Sequence, residues 1–205
     1  MSYIHRFIKG TRPETLVLLH GTGGDENDLV PLGENLLPGA AILSLRGNVS
    51  ENGMPRFFRR FGEGVFDIED IRRRAAELAV FVRDSAGKYG FDADRLIAAG
   101  YSNGANIAAA TLLLHGAIFA RAVLFRAMVP LEPETEADLK GVRVFLANGR
   151  QDPIVPPANA ERLASLLQGC GAETTLAWST ASHNLTQGDL EAARKWLSDI
   201  SGFPV

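Results

Sequence analysis

The five residues Gly100-Tyr101-Ser102-Asn103-Gly104 constrain this chain more than any other stretch. An apolar segment, 95–99, runs into them, and a small-residue segment, 105–114, runs out. A strand, Gly-x-Ser-x-Gly, then a helix predicts a turn so tight that the serine takes strained backbone angles. Side chains at the two flanking positions would strike neighbouring backbone, so glycine stands at both. The hydroxyl is then held above the carboxyl end of a sheet, at the positive end of a helix. That is the setting of a nucleophilic serine. The plainer alternative is a glycine-rich strand-to-helix turn with an ordinary serine.

The rest of the chain supplies a sheet for that turn. Tyr3 to Ile8 alternates loosely and reads as an edge strand. Leu16 to Leu19 and Ala41 to Leu45 are short apolar runs, as expected of strands buried on both faces of a parallel sheet. Further strands are expected over 122–125, 142–147 and 174–178. Helices are expected from about Asp28 to Leu37, from Asp67 to Tyr89, from Ala105 to Leu114, from Pro157 to Gln168, and from Thr186 to Ile200. The second is the clearest. Ile68, Ile71, Ala75, Leu78, Val82, Ala86 and Tyr89 fall three or four apart on one stripe, with Asp67 as N-cap. Arg72, Arg73 and Arg74 read as its solvated side. Thr186 and Asp189 resemble a capping box. Arg46 to Gly64 lacks periodicity and reads as a long loop, often a functional segment.

Strands alternating with helices predict an α/β fold, a doubly wound, mostly parallel sheet of about seven strands. Ligands are expected beyond the strands' carboxyl ends. With 205 residues, the expectation is a single domain over 1–205 without a cap domain, hence an open site. A formal net charge of -3 gives no bulk attraction for nucleic acid. No apolar run approaches a membrane span, and the N-terminal residues lack a signal-peptide core. The lone cysteine, Cys170, cannot form an intramolecular disulfide and suits a cytoplasmic protein. It reads as a small loop residue between Gly169 and Gly171. The histidines and Cys170 lack ligand spacing, so neither a metal nor another cofactor is expected.

A serine hydroxyl needs a base, and the base needs an orienting acid. In folds with this turn the order is serine, acid, histidine. His5 and His20 come too early. His115 lies thirteen residues along the helix that starts at the serine, roughly 20 Å away. His183 follows the last strand at the correct sheet end and is the expected base. Asp152 leaves the strand over 142–147 at its carboxyl end and is the expected acid; an ordinary Asp-Pro turn residue is its alternative. Acyl transfer also needs donors for an oxyanion. Asn103 N–H is one; Thr22 N–H in the loop His20-Gly21-Thr22-Gly23-Gly24-Asp25 is the other, with Gly23 as runner-up.

With those residues assembled, the chain resembles the α/β-hydrolase fold, and within it the phospholipase/carboxylesterase family of small serine esterases. The resemblance is carried by His20 to Asp25, by Gly100 to Gly104, by Gly149 to Pro156, and by His183 with Leu185 and Thr186. Residues 45–60 are similar to a narrower bacterial subgroup, some members of which are linked to quinone or hydroquinone stress. The resemblance implies a catalytic triad of Ser102, Asp152 and His183, an oxyanion hole of Thr22 and Asn103, a small-molecule ester substrate, and a homodimer as one assembly. Thioesterase and lysophospholipase action use the same apparatus, and a non-catalytic binding module is the alternative from another class. The chain departs from the family at Ser182, where glycine usually precedes the histidine. Arg126 is a second oddity, either a substrate contact or a surface arginine. Substrate contacts are expected at Phe57, Phe66, Met128, Ile154 and Leu185. Phe57, Phe58 and Phe66 equally suit pinning the 46–64 segment to the core. Arg46, Arg56, Arg59 and Arg60 would either attract an anionic substrate or pair with acids such as Glu51 and Glu63.

Overall fold

A computed structural model describes residues 2–199. Its elements in chain order are β1 (His5–Ile8), β2 (Thr15–Leu19), α1 (Val30–Leu36) and β3 (Ala41–Leu45). Two small hairpins follow, β4 (Val49–Glu51) with β5 (Met54–Arg56), and β6 (Arg60–Gly62) with β7 (Val65–Phe66). Next come α2 (Ile68–Tyr89), β8 (Leu96–Tyr101), α3 (Asn103–His115), β9 (Arg121–Phe125), β10 (Arg143–Gly149), α4 (Pro157–Gly169), β11 (Glu173–Ser179) and α5 (Gln187–Asp199).

Seven strands form one sheet in the order β1-β3-β2-β8-β9-β10-β11. Only β1 is antiparallel to its neighbour. The apolar runs alternate between the sheet's two faces, as strand geometry requires. Val17 and Leu19 join one core cluster, which also holds Leu78 and Val82 of α2, Ile107 and Leu112 of α3, and Leu163 and Leu167 of α4. Leu16 and Leu18 face the other, with Leu36 of α1 and Ala193 and Leu197 of α5. Both faces are covered, which is why β2 contains no solvent-facing position.

The expected helices and strands are present with ends shifted by a few residues. Ile200, the expected last residue of the final helix, lies outside the described residues. α2 is capped as expected: the Asp67 side chain accepts from Asp70 N–H, and Gly90 closes the helix in the left-handed region. Two assignments on it change. Ile68 is substantially exposed, so the apolar stripe begins at Ile71. Arg74 is largely buried against Asp70 and Glu77, because Asp70 itself is buried and gathers arginines. Cys170 lies, as expected, in the turn after a helix, but its side chain is buried. It caps α4 and packs into the core beside Leu167.

The segment 46–64 is not an irregular loop. Asn52 and Gly53 both take positive φ, the geometry of a two-residue hairpin turn, and they join β4 to β5. Gly64 makes the corresponding left-handed turn between β6 and β7. Phe57 and Phe58, between the hairpins, are fully buried and pin the segment to the core.

Candidate active site

β8 ends at Tyr101, and the chain turns sharply into α3. Ser102 sits on that turn at φ 52°, a left-handed value that costs a non-glycine residue. Its N–H donates to Phe125 O at 2.9 Å, which ties the turn to β9. Both flanking glycines are required by contact. A Cβ at Gly100 would lie 2.7 Å from Ala105 N, and one at Gly104 would strike the carbonyl oxygen of Leu19. The sequence forces the strain by packing α3, buried almost all round, directly against β2 and β8.

Three side chains distant in sequence meet above this end of the sheet. His183 Nε2 lies 2.9 Å from Ser102 Oγ, and His183 Nδ1 lies 2.7 Å from Asp152 Oδ2. Asp152 is held by its own turn: Oδ1 accepts from Ile154 N–H at 2.8 Å and Val155 N–H at 3.1 Å. So the Asp-Pro turn and the histidine partner are the same residue. Those bonds leave Oδ2 facing the imidazole, so Nδ1 carries the proton and Nε2 is free to accept from the serine.

The glycine-rich loop after β2 lies beside the serine. Gly24 N–H donates to Gly21 O at 3.1 Å, putting Thr22 and Gly23 at the middle of a turn. Gly23 N–H is used on Pro55 O at 3.0 Å, which removes the runner-up oxyanion donor. Thr22 and Asn103 both line the cavity over Ser102. Asn103 is the first residue of α3, so its N–H has no carbonyl one turn back. The loop is braced from below by His20, which is buried. His20 Nδ1 donates to Gly21 O, and Nε2 accepts from Gly47 N–H at 3.0 Å. Burial, partly offset by the Gly21 bond and by Asp28 and Asp25, holds the His20 pKa below the ordinary histidine value.

A family model described as Phospholipase/Carboxylesterase matches residues 8–201. The chain belongs to that family. MhqD of Bacillus subtilis (strain 168) is 43% identical over 195 residues, covering 95% of this chain and 98% of that one. The crystal structure of a Bacillus cereus carboxylesterase superposes with a TM-score of 0.93 at 47% identity, over 95% of this chain and 93% of the other. A carboxylesterase from Mesorhizobium loti superposes at 0.90 with 32% identity, over 95% and 93%. The protein is therefore a hydrolase of the phospholipase/carboxylesterase family with the α/β-hydrolase fold.

Of the substrate contacts expected of this family member, Phe66, Met128 and Ile154 line the cavity with Ser102 and His183. Phe57 does not. It is fully buried, its ring lies tilted against His20 at 4.9 Å between centroids, and its N–H donates to Asn103 Oδ1 at 2.7 Å. An aromatic flanked by buried neighbours gains more from the core than from the cleft. Leu185 lines an adjoining recess with Thr22 and Tyr101 rather than the cavity itself.

Arg126 is neither a substrate contact nor a surface residue. It is fully buried. Nε donates to Ser182 O at 3.1 Å, Nη2 to Asn184 O at 2.7 Å, and Nη1 to Ala147 O at 2.9 Å. Its charge is met by Asp189, at 2.6 Å and 3.3 Å. Asp189 also closes the expected capping box, accepting from Thr186 N–H at 2.9 Å while its own N–H donates to Thr186 Oγ1 at 3.2 Å. Burial pushes the Asp189 carboxyl up, but hydrogen bonds from Arg126 and Thr186 and the arginine's charge bring it below its ordinary value. Tyr101 OH donates to His183 O at 2.9 Å. The carbonyls of 182, 183 and 184 thus all have partners, and the loop holds His183 in place with serine at 182.

Among the described residues no group of three or more His, Cys, Asp or Glu side chains could hold a metal ion. Among them too, no helix is long and apolar enough to cross a membrane.

Proposed function

We propose that the protein is a carboxylesterase that cleaves small esters through a covalent acyl-serine. The observation that carries this is the unbroken chain of short contacts from Ser102 Oγ through His183 to Asp152. Ser102 Oγ attacks the ester carbonyl carbon while His183 Nε2 takes its proton. Asp152 keeps the imidazole in the Nδ1–H form and stabilises its positive charge. Charge growing on the carbonyl oxygen is met by the Thr22 and Asn103 amides. The alcohol leaves with the proton from His183, and water repeats the steps to free the acid. The small cavity, about 280 Å³, supports a short ester over a long acyl chain.

The test is release of p-nitrophenol from p-nitrophenyl acetate by the purified protein. Saturable hydrolysis is expected, lost by a factor on the order of 10⁶ in Ser102→Ala. Hydrolysis that survives in the folded Ser102→Ala variant would refute the mechanism.

A further inference from the structure

The cavity over Ser102 has two unlike walls. Phe66, Met128 and Ile154 give an apolar side, while Arg56 and Arg60 bring guanidinium groups to another. The four arginines of the 46–60 segment are not equivalent. Arg46 is spent on Glu26 and Asp25, and Arg59 on Asp67 and Asp70, away from the cavity. Arg56 and Arg60 share a single acid. Glu51 lies 3.1 Å from Arg56 Nε and 3.0 Å from Arg60 Nε.

Two cations on one carboxylate leave a positive charge beside the serine. The Arg56 side chain is only 3% exposed. Burial, then the neighbouring Arg60 charge, pushes its pKa down to about 10, against the opposing pull of Glu51. Arg56 Nε and Nη1 are used on Phe58 O and Thr22 Oγ1, and Arg60 Nε on Glu51. That leaves Arg56 Nη2 and both terminal nitrogens of Arg60 without an acceptor among the described residues. Glu63 also borders the cavity, but it is exposed at the tip of the β6–β7 hairpin. Water and salt screen its charge, whereas the guanidiniums act from deeper in the cleft.

We propose that this wall binds a carboxylate carried by the substrate, so that the preferred substrates are short esters bearing a free carboxylate in their acyl or alcohol part. The proposal rests on the esterase reading above and names its substrate class. A guanidinium fork gives a carboxylate two parallel charge-assisted bonds, which a neutral ester cannot match. The apolar wall then takes the rest of the ester, and Thr22, bonded to Arg56, links the carboxylate site to the loop beside the reacting carbonyl.

The experiment compares matched pairs. For a charge on the alcohol side, 4-acetoxybenzoate is set against methyl 4-acetoxybenzoate. For a charge on the acyl side, monophenyl adipate is set against methyl phenyl adipate, following phenol release. In at least one pair the carboxylate member should have a kcat/KM at least tenfold higher. Arg60→Gln should lower that carboxylate-to-neutral ratio tenfold or more, and Arg60→Lys, which keeps the charge but loses the fork, should give a ratio between those of Arg60→Gln and the wild type. The ratio cancels any general loss of folded enzyme. Neutral members preferred in both pairs, or a ratio unchanged in Arg60→Gln, would overturn the proposal. Failure of the esterase reading looks different: no member of either pair is cleaved, and the proposal falls with it.

Discussion

Replacing Arg126 by lysine should slow turnover without touching any reacting atom. Arg126 makes five hydrogen bonds, to Ser182 O, Ala147 O, Asn184 O and both oxygens of Asp189. A lysine ammonium has three donors, so at least two of the five bonds are lost (5 − 3 = 2). A hydrogen bond lost from a charged donor costs about 1.5–3 kcal/mol, which sets the loss of two at about 3–6 kcal/mol. The charge pair with Asp189 is kept, so the larger penalty of an uncompensated buried carboxylate is avoided. Ala147 O also accepts from the backbone N–H of residue 126, and Asp189 from Thr186, so the acceptors that depend on the guanidinium alone are the carbonyls of 182 and 184 on either side of His183; their release frees the imidazole from its fixed position. A shift of about 1 Å in a catalytic group can cost on the order of 10² in rate. The assay is kcat and KM for p-nitrophenyl acetate, with urea unfolding measured in parallel. We expect kcat to fall about a hundredfold while KM changes less than about threefold, under conditions where the variant is folded. A destabilised but folded Arg126→Lys enzyme with wild-type kcat would refute the positioning argument and leave Arg126 a purely structural residue.

Two further outcomes follow from local geometry. Gly104→Ala drives a Cβ into Leu19 O and should cost about 3 kcal/mol. That is a fall in Tm of about 6–12 °C at about 2–4 °C per kcal/mol. Gly87→Ala, in open space within α2, should raise Tm slightly, and the reverse order in differential scanning fluorimetry would refute both readings. Because burial lowers the His20 pKa, the unfolded chain takes up this proton before the folded one as pH falls. Its contribution to stability is therefore lost as pH drops below about 6.5 and is constant above. The urea midpoint should fall less between pH 7.5 and 5.5 in His20→Gln than in the wild type; equal falls would count against the assignment.

The parts of this fold legible in the sequence are those with a strong period or a tight steric rule. β2 and β3 are apolar throughout because both faces of the sheet are covered, and α2 shows its stripe because one side meets the core. The Ser102 turn is legible because only glycine fits on either side of it. The hairpins over 49–66 were obscured for the opposite reason: strands of two or three residues are too short to display alternation. Asn52-Gly53 was the available signal for the first of them. The fate of Phe57 depended on which side of a hairpin exit faces His20, which spacing does not encode. Arg126 lay further out of reach. An arginine after an apolar run reads as exposed unless its partner is known, and Asp189 lies 63 residues away. The capping box that contains Asp189 was visible in the sequence; its second use as a counter-ion was not.

Intact-mass and peptide mapping after treatment with a fluorophosphonate tests the central claim most directly. The probe reacts with a serine only where a base and an oxyanion site act on it together. The account predicts one adduct per chain, on Ser102, formed rapidly in the wild type and absent from Ser102→Ala. No adduct on the folded wild-type protein, or an adduct on another residue that persists in Ser102→Ala, would contradict it.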